Sequence, residues 1–224
     1  MGNVVNFFVF KFQRNKFWAF TQMGTYKKYL KNVKGLKFYR LLGTGGNNGF
    51  SLYPDFKTYC FLSVWDNNSD ADYFINKNKF FLEYFKKASG IRLLSLIPFQ
   101  SIGEWAGVNP FSHNVNIPKS KNLKVAILTR ARISPLKIFR FWGSIPKASH
   151  EISKAKGVYF YKGIGEIPFF EQSTISLWNS IEEVKDFAYK SDIHKSIIKK
   201  TRSESWYSEE LFCRFYINKD NYLK

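Results

Sequence analysis

Three histidines, two cysteines and one glycine-rich loop are the residues of this chain best suited to chemistry, and their spacing narrows what they could do. No two of His113, His150 and His194 stand at the chelating separation that a zinc site uses. A serine-type triad would need a nucleophile elbow and a plausible His/Asp pairing, and neither is found. Gly43-Thr-Gly-Gly-Asn-Asn-Gly49 invites a phosphate-loop reading, but a strand-like run from Thr58 to Trp65 follows it and no Gly-Lys-Ser/Thr is present. A hairpin loop whose glycines permit positive φ accounts for it better. Cys60 and Cys213 lie in strand-like runs, which excludes a disulfide scaffold and a four-cysteine metal site and suggests buried free thiols.

His194 is the histidine that stands apart. In Ser191-Asp-Ile-His-Lys-Ser-Ile-Ile-Lys-Lys200, Ile197 and Ile198 fall three and four residues on and share its helical face. A core histidine would satisfy that pattern. So would a ligand: the start of a helix disfavours imidazolium, and neutral imidazole is the form that binds iron. His113, in a linker, and His150, near a helix end, read as surface residues.

The elements that would position these groups occur twice. Gly35/Gly157, Phe38/Phe160, Tyr39/Tyr161 and Gly43/Gly165 keep one constant offset. Phe61-Leu-Ser-Val-Trp65 then corresponds to Thr174-Ile-Ser-Leu-Trp178 at a shorter one, so the first copy carries extra residues in its Gly/Asn-rich loop. Internal repetition sets the architecture before local reading does. In the first copy, strands are expected at Val4–Lys11, Lys37–Gly43, Thr58–Trp65 and Arg92–Ile97. Helices are expected from Lys16 to Asn32, with Phe17, Phe20, Tyr26 and Leu30 apolar, and from a Ser69-x-x-Asp72 capping box to about Ala88. In the second, Val125–Ala131, Val158–Ile164, Gln172–Trp178 and Leu211–Tyr216 read as strands. A helix follows Ser134-Pro135 to about Ser153, and another follows Ser180-x-x-Glu183.

Each unit is then βαββαβ, and the expected fold class is α+β: tandem ferredoxin-like repeats packing their sheets into a single-chain, pseudo-dimeric α/β barrel. Residues 1–103 would be a supporting half, 104–122 a linker and 123–224 the half that carries the site.

The formal net charge is +18, spread along the chain instead of blocked at one end, and no nucleic-acid-binding module accompanies it. An anionic membrane surface or an acidic protein partner would be drawn to such a surface. No apolar run approaches the length of a membrane span and no signal peptide is visible, so a cytoplasmic protein is expected, peripheral to the membrane at most. Aromatic residues make up 19% of the chain, enough either to fill a bulky core or to shape a cavity for a large flat or polyene ligand.

Several motifs together resemble the spheroidene monooxygenase family of carotenoid oxygenases. They are Trp18-Ala-Phe-Thr-Gln-Met-Gly24, Leu128-Thr-Arg-Ala131, Arg140-Phe-Trp142, Lys162-Gly-Ile-Gly-Glu-Ile-Pro168, Gln172-x-Thr174-x-Ser176-x-Trp178 and Trp206-Tyr-Ser-Glu-Glu-Leu211. The match runs in order along nearly the whole chain. The segment from Ser112 to Asn122 has no counterpart, and the chain's richness in Lys, Asn, Ile and Phe departs from the family. The resemblance implies a haem-dependent monooxygenase acting on an acyclic carotenoid with dioxygen and an external electron donor such as a ferredoxin. It also implies haem b with His194 as the axial, metal-binding ligand. Covalent c-type attachment is excluded by the lack of Cys-x-x-Cys-His. Arg130 becomes a candidate distal group or propionate partner. Lys162, Glu166, Gln172 and Trp178 become candidates to line the site, with Gln172 placed beside Arg130 in catalysis. A haem carrier without oxygenase activity and a cofactor-independent small oxygenase are the alternatives.

Overall fold

The computed structural model describes residues 3–46, 51, 53–111, 123–190, 196, 199–201 and 203–224. Eight antiparallel strands close into a barrel: β1 (Val4–Lys11), β2 (Leu36–Gly45), β3 (Pro54–Trp65), β4 (Gly90–Gly103), β5 (Val125–Ile133), β6 (Val158–Gly165), β7 (Glu171–Trp178) and β8 (Tyr207–Tyr222). Around the barrel they run β1-β3-β2-β6-β7-β5-β8-β4. The order within the first half is β4-β1-β3-β2 and within the second β8-β5-β7-β6, so corresponding strands hold corresponding places. One seam is short and joins the landmark glycines themselves, Gly43 opposite Gly165. The other is long, with β4 paired to β8 from Arg92↔Tyr222 to Gly103↔Leu211.

Details repeat as well. Trp65 and Trp178 each donate Nε1–H to the serine two residues earlier, Ser63 at 2.9 Å and Ser176 at 2.8 Å. Gly35 and Gly157 both have positive φ, and a Cβ on either would run into an acidic side chain in the first turn of the following helix, Asp70 or Glu183. Each glycine carbonyl also accepts from the residue after the tryptophan, Asp66 at 2.9 Å and Asn179 at 3.0 Å. Here the positive φ and the close approach explain why glycine stands at both landmarks.

The helices are more broken than their periodicity suggests. Lys16–Asn32 is two pieces, α1 (Lys16–Thr25) and α2 (Lys27–Leu30), separated at Tyr26. Tyr26 and Leu30 are buried, whereas Phe17 and Phe20 are exposed. The stretch expected from Ser69 to Ala88 is α3 (Asn68–Lys77) and α4 (Lys79–Lys87). Asn67, not Ser69, caps α3 by accepting from Asp70 N–H at 2.9 Å. Asn78 is extended and accepts from Phe80 N–H at 2.8 Å, so it ends one helix by starting the next. In the second half a 3-10 turn (Pro135–Lys137) leads into α5 (Ile138–Lys154), and Ser180 caps α6 (Ile181–Lys190) by accepting from Glu183 N–H at 3.2 Å.

Strand alternation divides the core in two. One set of side chains, drawn from both halves, fills the barrel: Val5, Phe7, Leu62, Leu94, Ala126, Leu128, Leu177 and Phe215 among them. Trp105 and Phe111 join that interior, so the described part of the expected linker, otherwise mostly exposed, inserts two rings into the core. The opposite set faces the helices.

Candidate active site

The two helix-covered faces are built from corresponding positions but filled differently. In the first half Phe8 on β1 pairs with Phe61 on β3, and Phe10 with Tyr59; Leu41 on β2 lies opposite Phe61. All five are buried against Phe74, Phe80, Phe81 and Tyr84 of α3 and α4. Counting from Trp178 as from Trp65, the second half presents Thr129 paired with Thr174, Ala131 with Gln172, and Gly163 opposite Thr174. Four aromatic rings and a leucine in one half are thus two threonines, an alanine, a glutamine and a glycine in the other.

The consequence is a break in the packing of the second face. At one end Val125, Ile127, Ile152, Trp178 and Val184 form a cluster with Phe187 and Phe212. At the other, Ile133, Phe141, Ile145 and Trp206 form a second cluster with Trp142 and Tyr207. Between them lies Thr129, which is exposed although its strand, β5, runs between β7 and β8 in the middle of the half. A central-strand residue under a helical layer is ordinarily buried, so this face is open at Thr129, with Gln172 and Thr174 half-buried beside it and Ala131 and Gly163 buried.

The sheet's other side at this end of the barrel carries charge. Arg130 is 2% exposed, and its guanidinium pairs through Nη1 with Glu209 Oε1 and through Nη2 with Glu171 Oε1 at 3.3 Å. Arg132 also holds Glu171, at 2.6 Å. Glu209 accepts the Ala106 and Gly107 N–H groups at 3.0 and 2.9 Å, and Glu166 accepts Trp105 Nε1–H at 2.6 Å while pairing with Arg40 at 3.0 Å. Three guanidiniums and three carboxylates therefore tie the residues after β4 onto the barrel. Burial lowers the Arg130 pKa from its ordinary value, and the nearby Glu171 and Glu166 oppose that shift.

Comparison with known proteins gives the arrangement a family. No family model matches the chain. It is 33% identical over 198 residues to spheroidene monooxygenase of Rhodobacter capsulatus, covering 88% of this chain and 82% of that protein. It is 32% identical over 212 residues to the spheroidene monooxygenase of Cereibacter sphaeroides, covering 93% of this chain and 65% of that one. The chain belongs to the spheroidene monooxygenase family. It is accordingly an oxidoreductase of the monooxygenase type. Among solved structures, an aldoxime dehydratase superposes with a TM-score of 0.64 at 9% identity, covering 99% of this chain and 84% of that one, which supports the barrel fold.

The structure divides the residues that the family motifs single out. In Leu128-Thr-Arg-Ala131, Arg130 points into the barrel while Thr129 and Ala131 lie on the open face. Gln172 and Trp178 share the side of Thr129, and Trp178 is packed in the cluster beside the opening. Lys162 faces inward with Asp55 at 3.6 Å, and Glu166 is held by Trp105 and Arg40. Arg130, Lys162 and Glu166 therefore belong to the barrel's interior network, separated from Gln172 by the sheet. His194 and His113 lie outside the described residues; His150 is exposed. Of the described residues before and after His194 in the chain, Val184 of α6 packs at one end of the opening and Trp206 at the other.

Both cysteines are buried in the barrel. Burial pushes the Cys60 thiol up to about 12 and raises Cys213 further, so neither is a thiolate at neutral pH. Among the described residues no group of three or more His, Cys, Asp or Glu is placed to hold a bare metal ion.

Arg130 is expected to act on stability. Arg130→Met leaves Glu209 and Glu171 partly unpaired in the interior, a loss of about 3 kcal/mol. That corresponds to a melting temperature lower by roughly 6–12 °C for a chain of this size. Thermal unfolding followed by circular dichroism reads this, and ligand uptake on the opposite side of the sheet should persist.

Proposed function

We propose that this family member is a haem-dependent monooxygenase that inserts oxygen into an acyclic carotenoid, with haem b on the open face of the second half. The observation that carries the reading is the replacement of Phe8, Phe10, Tyr59, Phe61 and Leu41 by Thr129, Ala131, Gln172, Thr174 and Gly163 at corresponding positions. The residues present fit such a group. A flat macrocycle needs a flat wall without bulky side chains, which these positions offer, and a single axial nitrogen, for which we propose His194. The buried thiols supply no alternative thiolate.

The two halves are read as diverged copies of one ferredoxin-like unit. Residues 1–103 support, 104–122 connect and 123–224 carry the site. The clusters around Trp178 and Trp206 would exclude water from either end. The Thr129 and Thr174 hydroxyls and the Gln172 amide supply the polar contacts on the wall. Haem iron would activate dioxygen with electrons from an external donor such as a ferredoxin, which the +18 charge suits if the donor is acidic. Arg130, Lys162 and Glu166 hold the barrel end that supports this wall. No described helix is long and apolar enough to cross a membrane, and the same charge favours peripheral association with an anionic membrane, where a carotenoid resides.

Incubating the haem-loaded protein with a reducing system, an acyclic carotenoid and isotopically labelled dioxygen tests the activity. One labelled oxygen atom per product molecule is expected. Carotenoid bound but unchanged would indicate a carrier, and unlabelled product would exclude dioxygen as the source.

A further inference from the structure

Among the described residues the most exposed large apolar side chains lie next to the cluster that bounds the open face. Leu136, in the turn before α5, is 93% exposed and Phe139, in its first turn, 92%. The loop between β6 and β7 is attached beside them: Trp142 Nε1–H donates to the Phe169 carbonyl at 3.3 Å, their rings are 5.9 Å apart, and Ile133 N–H donates to the Phe170 carbonyl at 2.8 Å. That loop exposes Ile167, Phe169 and Phe170 as well. Lys137, half-buried, and Arg140, exposed and paired with Glu204 at 2.9 Å, alternate with the apolar residues. The patch is therefore a convex rim of aliphatic and aromatic tips interleaved with cations.

We propose that this rim is the surface with which the protein docks on an anionic lipid bilayer, so that the open face receives its apolar substrate from the membrane. Two observations select lipid as the occupant. Protruding Leu and Phe side chains gain by entering the headgroup–acyl boundary, while neighbouring Lys and Arg remain with anionic headgroups. The rim also adjoins the cluster of Phe141, Ile145 and Trp206 that bounds the opening at Thr129. The substrate part of the inference rests on the function proposed above; the docking part does not.

The repeat supplies a control. Phe17, Phe20 and Phe56 occupy corresponding places in the first half, and Phe20 meets Phe56 at 5.6 Å much as Trp142 meets Phe169. Phe17 is 79% exposed. Behind that rim, however, the sheet is filled by Phe10, Phe12, Tyr59 and Tyr84. The sheet positions behind the first rim are filled by the chain's own rings, so docking there would bring no substrate to that wall.

Co-sedimentation with vesicles of phosphatidylcholine and phosphatidylglycerol mixed at about three to one, against phosphatidylcholine alone, tests the proposal. The protein should bind the anionic vesicles and leave them in high salt, since screening acts over about 8 Å at physiological ionic strength. Leu136→Ser with Phe139→Ser should lower partitioning roughly tenfold or more. Phe17→Ser with Phe20→Ser should lower it less, because Phe17 and Phe20 protrude less, at 79% and 51% exposed. Equal losses from both pairs, no loss from Leu136→Ser with Phe139→Ser, or equal binding to both vesicle types would overturn the proposal. So would a change of oligomeric state caused by the first pair without any effect on vesicles, which would make the rim a protein interface. Neither pair should alter the absorption spectrum after addition of haem. Vesicle binding without haem binding would thus sink the function and spare the docking surface, and haem binding without vesicle binding would do the reverse.

Discussion

Thr129→Phe combined with Thr174→Phe is expected to abolish haem uptake while leaving the fold intact. The two substitutions recreate, on the second half, the Phe8–Phe61 pair that fills the first, where the ring centroids are 6.2 Å apart. Positions 129 and 174 face each other across β5 and β7 as 8 and 61 do across β1 and β3. Burying a phenylalanine contributes about 1.5–3 kcal/mol, so the melting temperature should hold or rise. The space under the helices would be occupied by the chain itself, and haem occupancy should fall at least roughly tenfold, about 1.4 kcal/mol in binding. Thr129→Val keeps the volume and should keep the haem. Full occupancy in the double phenylalanine variant, read from pyridine haemochrome content per chain, would place the cofactor elsewhere.

His194→Ala should have a comparable effect through a different cause. Alanine would remove the nitrogen proposed to hold the haem and spare the small residues of the wall, so haem should be lost or its spin state altered, again by roughly tenfold or more in affinity. Added imidazole should restore part of the spectrum, because the substitution leaves a cavity of the side chain it replaces. His150→Ala, at an exposed position, and His113→Ala should change nothing. An unchanged spectrum with full haem in His194→Ala would make His194 a core residue.

The paired landmark glycines were legible because they are backbone requirements. Gly35 and Gly157 must be glycine where φ is positive and an acidic side chain crowds the Cβ, and such positions survive divergence of everything around them. The helix breaks were less legible, since Asn78 lies within an unbroken apolar pattern and acts through a cap visible only in the fold. At the site, Arg130 drew attention because it is charged, yet alternation along β5 turns it into the barrel and leaves its plain neighbours Thr129 and Ala131 on the open face. Threonine and alanine carry no chemical signature, so a search for reactive groups passes over them. Their signal lay in the comparison of copies: Phe61 opposite Thr174 in two otherwise matching strands is a ring removed from one half and kept in the other. Gln172 drew attention because it belongs to a family motif, and alternation puts it on the same side of the sheet as Thr129.

Spectrophotometric titration of the purified, haem-free protein with haemin tests the central claim most directly. A Soret band that grows to a sharp end-point at one haem per chain, in the native protein but not in Thr129→Phe/Thr174→Phe, is the predicted result. A native protein that yields no Soret shift yet oxygenates its substrate would contradict the account.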